Sequence, residues 1–375
     1  MRILVVHSFY KPGLPSGEND VVLNQVDLLR ERGFDVELWG PTSPDDVGSM
    51  GKLRIGFRVA LGRGQDPTSV VDRLKPDLIH VHNLFPNIST DWIARTSAPV
   101  VMSLHNYRTV CANGLLLRNG RPCADCLSGS SWPAVQHACY RDSRAATVPV
   151  LGFQRHLRAA IERDIDLLAF TSEMSREVLA PLIPHRADVV LPDFVSDVGF
   201  RETAEMSDPY FVVLGRLSPE KGVDALLRDW PADRRLVIIG EGPQRPELER
   251  LAARMRVEFR GFVDARERDV LLQGATGLVL PSVTLEADPV VVAQALSAGT
   301  PCVVDHRTAP SRLADISAAI HPFHDVQSLE DALNSCAALG KRTAARKLYE
   351  SHWSAQAWLE RYMTKVIGTI VPKIS

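Results

Sequence analysis

The chain has no long hydrophobic run and no excess of charge of either sign. No stretch among its 375 residues approaches the roughly 18 apolar residues of a bilayer-crossing helix, so a membrane-spanning protein is not expected. A net charge of −2 gives no basic surplus of the kind nucleic-acid partners usually require. The opening residues 1–7 (MRILVVH) turn polar too soon for a secretory signal and read as a buried strand. The expected compartment is the cytoplasm, with peripheral contact at the inner membrane face as the one further option. Cysteine is scarce outside one segment. Cys302 and Cys336 stand alone among apolar neighbours and read as small buried hydrophobes.

What is present is a globular composition, 45% hydrophobic and 23% charged. The length exceeds what one core normally serves, so two domains are expected. Short β-branched runs alternate with longer amphipathic stretches, the pattern of a parallel sheet with crossover helices. In the first half the runs are 3–6, 36–39, 78–81, 100–104, 167–170 and 189–191. In the second they are 210–214, 236–239, 257–259, 277–280, 302–304 and 318–320. Residues 20–32 carry apolar Val22, Val26 and Leu29 at helical spacing and stop at Gly33. The polar stretch 194–208 reads as a linker. The expected architecture is two Rossmann-like, doubly wound α/β domains facing across a cleft, 1–193 and 205–352. A C-terminal helix within 353–375 is expected to return to the first. Ligands of such sheets bind at the carboxyl ends of the strands.

In residues 215–222 (GRLSPEKG) a strand runs into a helix expected near Val223. Backbone N–H groups there suit a phosphate, and Arg216 and Lys221 add a forked donor and a point charge. Four further motifs follow in order: 240–243 (GEGP), 259–263 (FRGFV), 281–286 (PSVTLE) and 298–301 (AGTP). Together with residues 16–18 and the Trp353 segment, this set resembles the retaining family-4 glycosyltransferases of the GT-B fold.

That resemblance implies a nucleotide-sugar donor, UDP- or GDP-linked, held by the second domain. Arg216 and Lys221 would neutralise the departing diphosphate, and Glu286 would contact the transferred sugar. Gly17 would let its loop approach the donor phosphates, His105 would stand against the donor sugar, and Gly242 and Val263 would belong to the donor site. His80 and His82, which end another strand, are weaker candidates. The family's second acid, which grips the ribose, is here Gln294. An amide offers one acceptor oxygen where a carboxylate can serve two hydroxyls. The family's Phe-Gly pair is Asp288 and Pro289, and Pro289 has no N–H to donate. No D-x-D pair occupies a suitable loop, so metal-independent catalysis is expected. The acceptor would be a sugar, a lipid-linked molecule or another small molecule. A silent GT-B homologue serving as a binding subunit and a nucleotide-sugar epimerase are the rival readings.

Two segments stand outside the motif set. Cys111, Cys123, Cys126 and Cys139 follow C-x11-C-x2-C-x12-C, with His137 in reserve. The C-x2-C turn suits structural zinc, with free thiols the alternative. Residues 48–65 carry Lys52, Arg54, Arg58 and Arg63 and no acid, interleaved with Leu53, Ile55, Phe57, Val59 and Leu61. Such a stretch suits an anionic bilayer. A half-buried helix with a solvated basic face accounts for the same residues and is the favoured reading, since the near two-fold alternation of charge and apolar residue suits an amphipathic membrane helix poorly.

Overall fold

The computed structural model describes residues 1–10, 16–43, 48–202, 208–338 and 340–370. The chain divides into two compact units. One comprises Met1–Leu116, Cys123–Pro192 and the residues from Leu359 onward; the other comprises Leu117–Pro122 and Asp193–Trp358.

The first unit is built on strands β1 (Arg2–His7), β2 (Asp35–Trp39), β3 (Leu78–Asn83) and β4 (Val100–Leu104). After the two-residue strands β5 (Leu117–Arg118) and β6 (Arg121–Pro122), it is completed by β7 (Leu167–Phe170) and β8 (Asp188–Val190). Its sheet has the order β2-β1-β3-β4-β7-β8, every pairing parallel. The strands are buried along nearly their whole length because helices cover both faces. Those helices are α1 (Gly17–Glu31), α2 (Ser49–Ala60), α3 (Thr68–Leu74), α4 (Trp132–Gln136), α5 (Arg144–Asp164) and α6 (Glu173–Leu179). Helix α1 starts where Ser16 accepts the Asn19 N–H and ends before Gly33, whose φ of +84° breaks it.

The second unit repeats the scheme with β9 (Tyr210–Leu214), β10 (Arg235–Ile239), β11 (Val257–Gly261), β12 (Gly277–Leu280), β13 (Cys302–Asp305) and β14 (Ile320–Phe323). The sheet order is β11-β10-β9-β12-β13-β14, again all parallel. Its helices are α7 (Val223–Asp229), α8 (Arg245–Leu251), α9 (Ala265–Gly274), α10 (Val290–Ser297), α11 (Val326–Cys336) and α12 (Lys341–His352). Cys302 and Cys336 are buried, and burial pushes the Cys336 thiol up to about 12, so both behave as apolar fillers.

Three local expectations change. The last strand begins two residues late, at Ile320, because Ser317 and Ala319 form the turn that feeds it. The start of the 194–208 stretch packs as core: Phe194 lies against Trp358, and the Val195 N–H donates to Trp353. Residues 203–207 of that stretch lie outside the described residues, as do 371–375 of the C-terminal segment. The basic stretch is the expected helix, α2, but it is buried less than half: only Val59 is buried, packed against α5 where Gly152 admits the Ala60 backbone, and Leu53 and Phe57 are exposed.

Candidate active site

The second sheet reverses its winding between β9 and β12, and the loops after these two strands carry the donor motifs. They are joined by their backbones, since the Val283 N–H donates to the Glu220 carbonyl (3.1 Å). Gly222 makes this approach feasible. Its φ is +65°, and a Cβ there would lie 2.2 Å from the Pro281 oxygen. Gly242 does the same for the neighbouring strand's loop, where a Cβ would meet the Leu217 oxygen at 2.2 Å. Gly242 is required by the contact between loops alone, Gly222 by that contact and by its left-handed backbone.

Across this junction Lys221 Nζ donates to Glu286 Oε1 at 2.5 Å, and the Ser282 hydroxyl donates to the same oxygen at 2.5 Å. Burial works against the lysine's charge, but Glu286 and Glu220 outweigh it and hold its pKa above the ordinary value. Glu286 is only 14% exposed, whereas Lys221 keeps 32% of its side chain open. The ammonium is therefore held in place, while part of the lysine side chain stays open. Arg216 is exposed, and its guanidinium makes no hydrogen bond or ion pair with a described residue. The 215–222 turn brought out Lys221 and the family resemblance Glu286, but neither brought out Ser282, whose place rests on an i, i+4 contact inside an irregular loop.

The remaining donor-side residues are placed less centrally. Val263 follows β11 and packs partly buried on the core. Gln294 is the fifth residue of α10, one turn deeper than an N-terminal position, and is partly exposed. Asp288 serves a structural purpose, since its carboxylate accepts from the Asp193 N–H (2.7 Å) and from Trp353 Nε1 (2.8 Å). Pro289 caps α10 without a side-chain hydrogen bond. The departure at Asp288 from the family pattern thus anchors the 193 and 353 segments of the second unit.

In the first unit, β1, β3 and β4 are neighbours and end in His7, His82–Asn83 and His105. His82 Nδ1 and His105 Nε2 share a hydrogen bond (2.9 Å), and the rings are 5.2 Å apart. His80 bonds the Ser103 hydroxyl (2.8 Å) and stacks on Tyr362. His7 bonds Asn19 on the first turn of α1 (3.0 Å). Burial lowers the pKa of all three buried rings, His80 to about 3, with His105 opposing charge on each of them. They are neutral at pH 7, and His82 serves as a fixed neutral partner orienting His105. A cavity of about 40 Å3 adjoins the pair. Gly17, the first residue of α1, is exposed, and next to it Glu18 accepts from Tyr10 and Asn106. His7, Asn19 and Asn106 were not legible in sequence as members of this group. Their only signal is a place at a strand or helix end.

The four cysteines of the excursion are free thiols. Burial pushes the Cys126 thiol up to about 11, and Cys111, Cys139 and Cys123 add to the effect. They are near enough to sense one another. Among the described residues, no three His, Cys, Asp or Glu side chains form a group that could hold a metal ion. His137 faces Asp125 at 3.8 Å.

Residues 16–190 match the glycosyl transferase 4-like domain, and residues 208–338 match glycosyl transferases group 1. The chain belongs to the family-4 type of GT-B glycosyltransferases. It is 24% identical over 97% of its length to a phosphatidyl-myo-inositol mannosyltransferase of Mycobacterium leprae, 94% of which is covered. A 101-residue stretch, 25% of the chain, is 38% identical to a GDP-mannose-dependent alpha-(1-6)-phosphatidylinositol dimannoside mannosyltransferase of Mycobacterium tuberculosis; the match spans only 26% of that enzyme. In fold, the chain resembles sucrose-phosphate synthase from Thermosynechococcus elongatus, with a TM-score of 0.69 and 16% identity over 99% of each chain.

Proposed function

We propose that the protein transfers a hexosyl residue from a nucleoside-diphosphate sugar to an acceptor hydroxyl, with retention of configuration and without a metal in the chemical step. The observation that carries this reading is the Lys221–Glu286–Ser282 group beside an unengaged Arg216. Cleavage of the glycosidic bond to phosphate builds negative charge on the leaving oxygen. A preorganised ammonium and guanidinium stabilise such charge without reorganising in the transition state. Glu286, desolvated and fixed by two donors, is suited to accept from hydroxyls of the transferred sugar. The relatives named above include a GDP-mannose-dependent enzyme, which makes GDP-mannose the first donor to test. An acceptor sugar, lipid-linked or free, would be held by the first unit, with His105 near the reacting sugar.

Thermal shift with GDP-mannose and UDP-sugars, followed by donor hydrolysis or transfer assays, tests the reading, because a ligand bound only by the native state raises apparent stability. Binding without turnover of any donor would leave a silent homologue. Transfer should persist after chelation. Loss restored by a divalent ion at the chemical step would overturn the metal-free reading.

Gln294 offers a finer test. If its amide oxygen accepts one ribose hydroxyl, Gln294→Glu should accept two. A hydrogen bond to a charged group is worth roughly 1.5–3 kcal/mol against about 1 for a neutral one. Allowing for repulsion from the diphosphate, nucleotide affinity should rise by about tenfold if about 1.4 kcal/mol survives. Unchanged or weaker binding by calorimetry would remove Gln294 from the ribose site.

For the excursion we propose that the four thiols close on one structural zinc ion. Binding would draw them together and release the proton that burial now holds on Cys126. Elemental analysis of protein purified without added metal should find about one zinc per chain, as a four-thiolate site implies. Cys123→Ser with Cys126→Ser should lower both zinc content and Tm. A fully folded, active, zinc-free preparation would exclude the site.

A further inference from the structure

Helix α2 carries an apolar stripe that no described part of the chain covers. Met50 is 80% exposed, Leu53 70%, Phe57 68% and Leu61, at its C-cap, 36%. At 3.6 residues per turn these positions fall within roughly 80° of arc. Val59, the buried residue of the helix, points the opposite way and packs with Gly56 and Ala60 against α5. The stripe is therefore the outward face of a helix that is anchored from behind. Isolated exposed apolar residues are ordinary, but three large side chains aligned on one helix face are not.

Arg54 and Arg58 border the stripe along one edge; Lys52, exposed in the first turn, lies on the side nearer Val59, and Arg63 lies just past the helix. Residues 48–65 contain no acidic side chain. None of the four cations forms an ion pair with a described residue, although cations elsewhere on the first unit, such as Arg73, Arg95 and Arg176, do. Val148 of α5, next to Pro149 on which Gly56 rests, is itself 52% exposed.

We infer that α2 is a docking surface for an anionic lipid bilayer, lying in the plane of the interface. Phe57, Leu53 and Met50 would enter the acyl boundary, while Arg54 and Arg58 along the edge, with Arg63 beyond the helix, meet the headgroup phosphates. The charge decides the occupant. A second copy of the chain would bring four unpaired cations against four others, and a purely apolar partner would leave them without counterions. A surface of anionic phosphates satisfies both the apolar face and its rim. The helix is fixed to α5 through a glycine and an alanine on its inner side. Docking therefore needs no rearrangement, and the first unit would meet the membrane in one orientation.

This inference does not depend on the proposed transfer reaction, and its test uses no activity. The full chain is mixed with phosphatidylcholine vesicles, with and without phosphatidylglycerol, and sedimented over a range of salt. It should sediment with the mixed vesicles, not with phosphatidylcholine alone, and salt should weaken the association. Leu53→Ser with Phe57→Ser should reduce binding at least tenfold, on the order of 1.4 kcal/mol. Both side chains face solvent, so the melting temperature should be unchanged. Arg54→Glu with Arg58→Glu should reduce binding to phosphatidylglycerol by a similar factor and remove its salt dependence. Equal binding of parent and the serine variant, or no binding of the parent to phosphatidylglycerol vesicles at low salt, would overturn the inference. So would a dimer in sedimentation velocity that the serine substitutions dissociate.

Discussion

Replacing Lys221 with alanine should lower glycosyl transfer by about 10²–10³-fold, the usual effect of deleting one preorganised group that meets developing charge. Lys221 Nζ is held 2.5 Å from Glu286, and about a third of the lysine side chain is exposed. The same substitution leaves Glu286 as a poorly solvated carboxylate with one donor, Ser282. Some stability should therefore be lost, though less than the ~3 kcal/mol of a fully buried pair, because the lysine is partly solvated. Two companions separate catalysis from folding. Lys221→Ala combined with Glu286→Gln removes the stranded charge and should recover Tm without recovering turnover. Arg216→Ala touches an exposed side chain with no described partner, so it should reduce turnover strongly at unchanged Tm. Single-turnover rates with donor saturating are the measurement. Activity within about twofold of the parent in both Lys221→Ala and Arg216→Ala would remove the cations from the leaving-group site.

Acid should destabilise the first unit through its histidines. His80 has a folded pKa of about 3, and that of His82 lies well below its ordinary value, because the rings are buried beside other histidines. In the unfolded chain both titrate near 6.5. Between these limits the unfolded state binds more protons than the folded one, so stability rises with pH in that window. The contribution is fully present above about 6.5 and is lost as pH falls below it. Between pH 6.5 and 5, keeping the His80 ring neutral costs roughly 2 kcal/mol, and His82 acts in the same direction. The His80 contribution alone is a large fraction of the 5–15 kcal/mol typical of a folded domain. Urea unfolding of parent and His80→Gln at pH 7 and pH 5 isolates one ring, since carboxylate effects are common to both. The parent should lose about 2 kcal/mol more than the variant over this interval. Equal losses would show that His80 gains its proton freely in the folded protein.

Much of this protein is legible locally. The twelve strands of the two main sheets lie close to β-branched runs, because a strand covered on both faces must be apolar along its length. Helix α1 is marked by Ser16 before it and Gly33 after it. The residues of 215–222 and 281–286 mark the donor half because glycine, proline and charge at fixed offsets are local features. So is the loss of an N–H at Pro289.

Contacts between distant segments are of another kind. Nothing in a spacing says that Lys221 and Glu286 share a proton-bearing contact 65 residues apart, or that Ser282 joins them. Asp288 looks in sequence like a defect in a sugar-binding loop, and it is an anchor for Asp193 and Trp353. His80 and His82 differ little in sequence context, yet His82 bonds His105 while His80 is stacked on Tyr362, contributed by a segment nearly 300 residues later. In α2 the periodicity is ambiguous, and the helix turns its smaller side inward. Gly152 and Pro149 of α5 leave room only for Gly56, Val59 and Ala60, so Leu53 and Phe57 face out.

Local backbone preference and apolar patterning suffice for the alternation of strands and helices, for the two sheets, and for the residue types available to hold a diphosphate. All of these can be read along the chain. Which charges are paired, which histidines are neutral and which face of α2 meets solvent are settled only by the tertiary fold. Those properties depend on desolvation and on neighbours brought together by the crossover topology, and no window of sequence contains them.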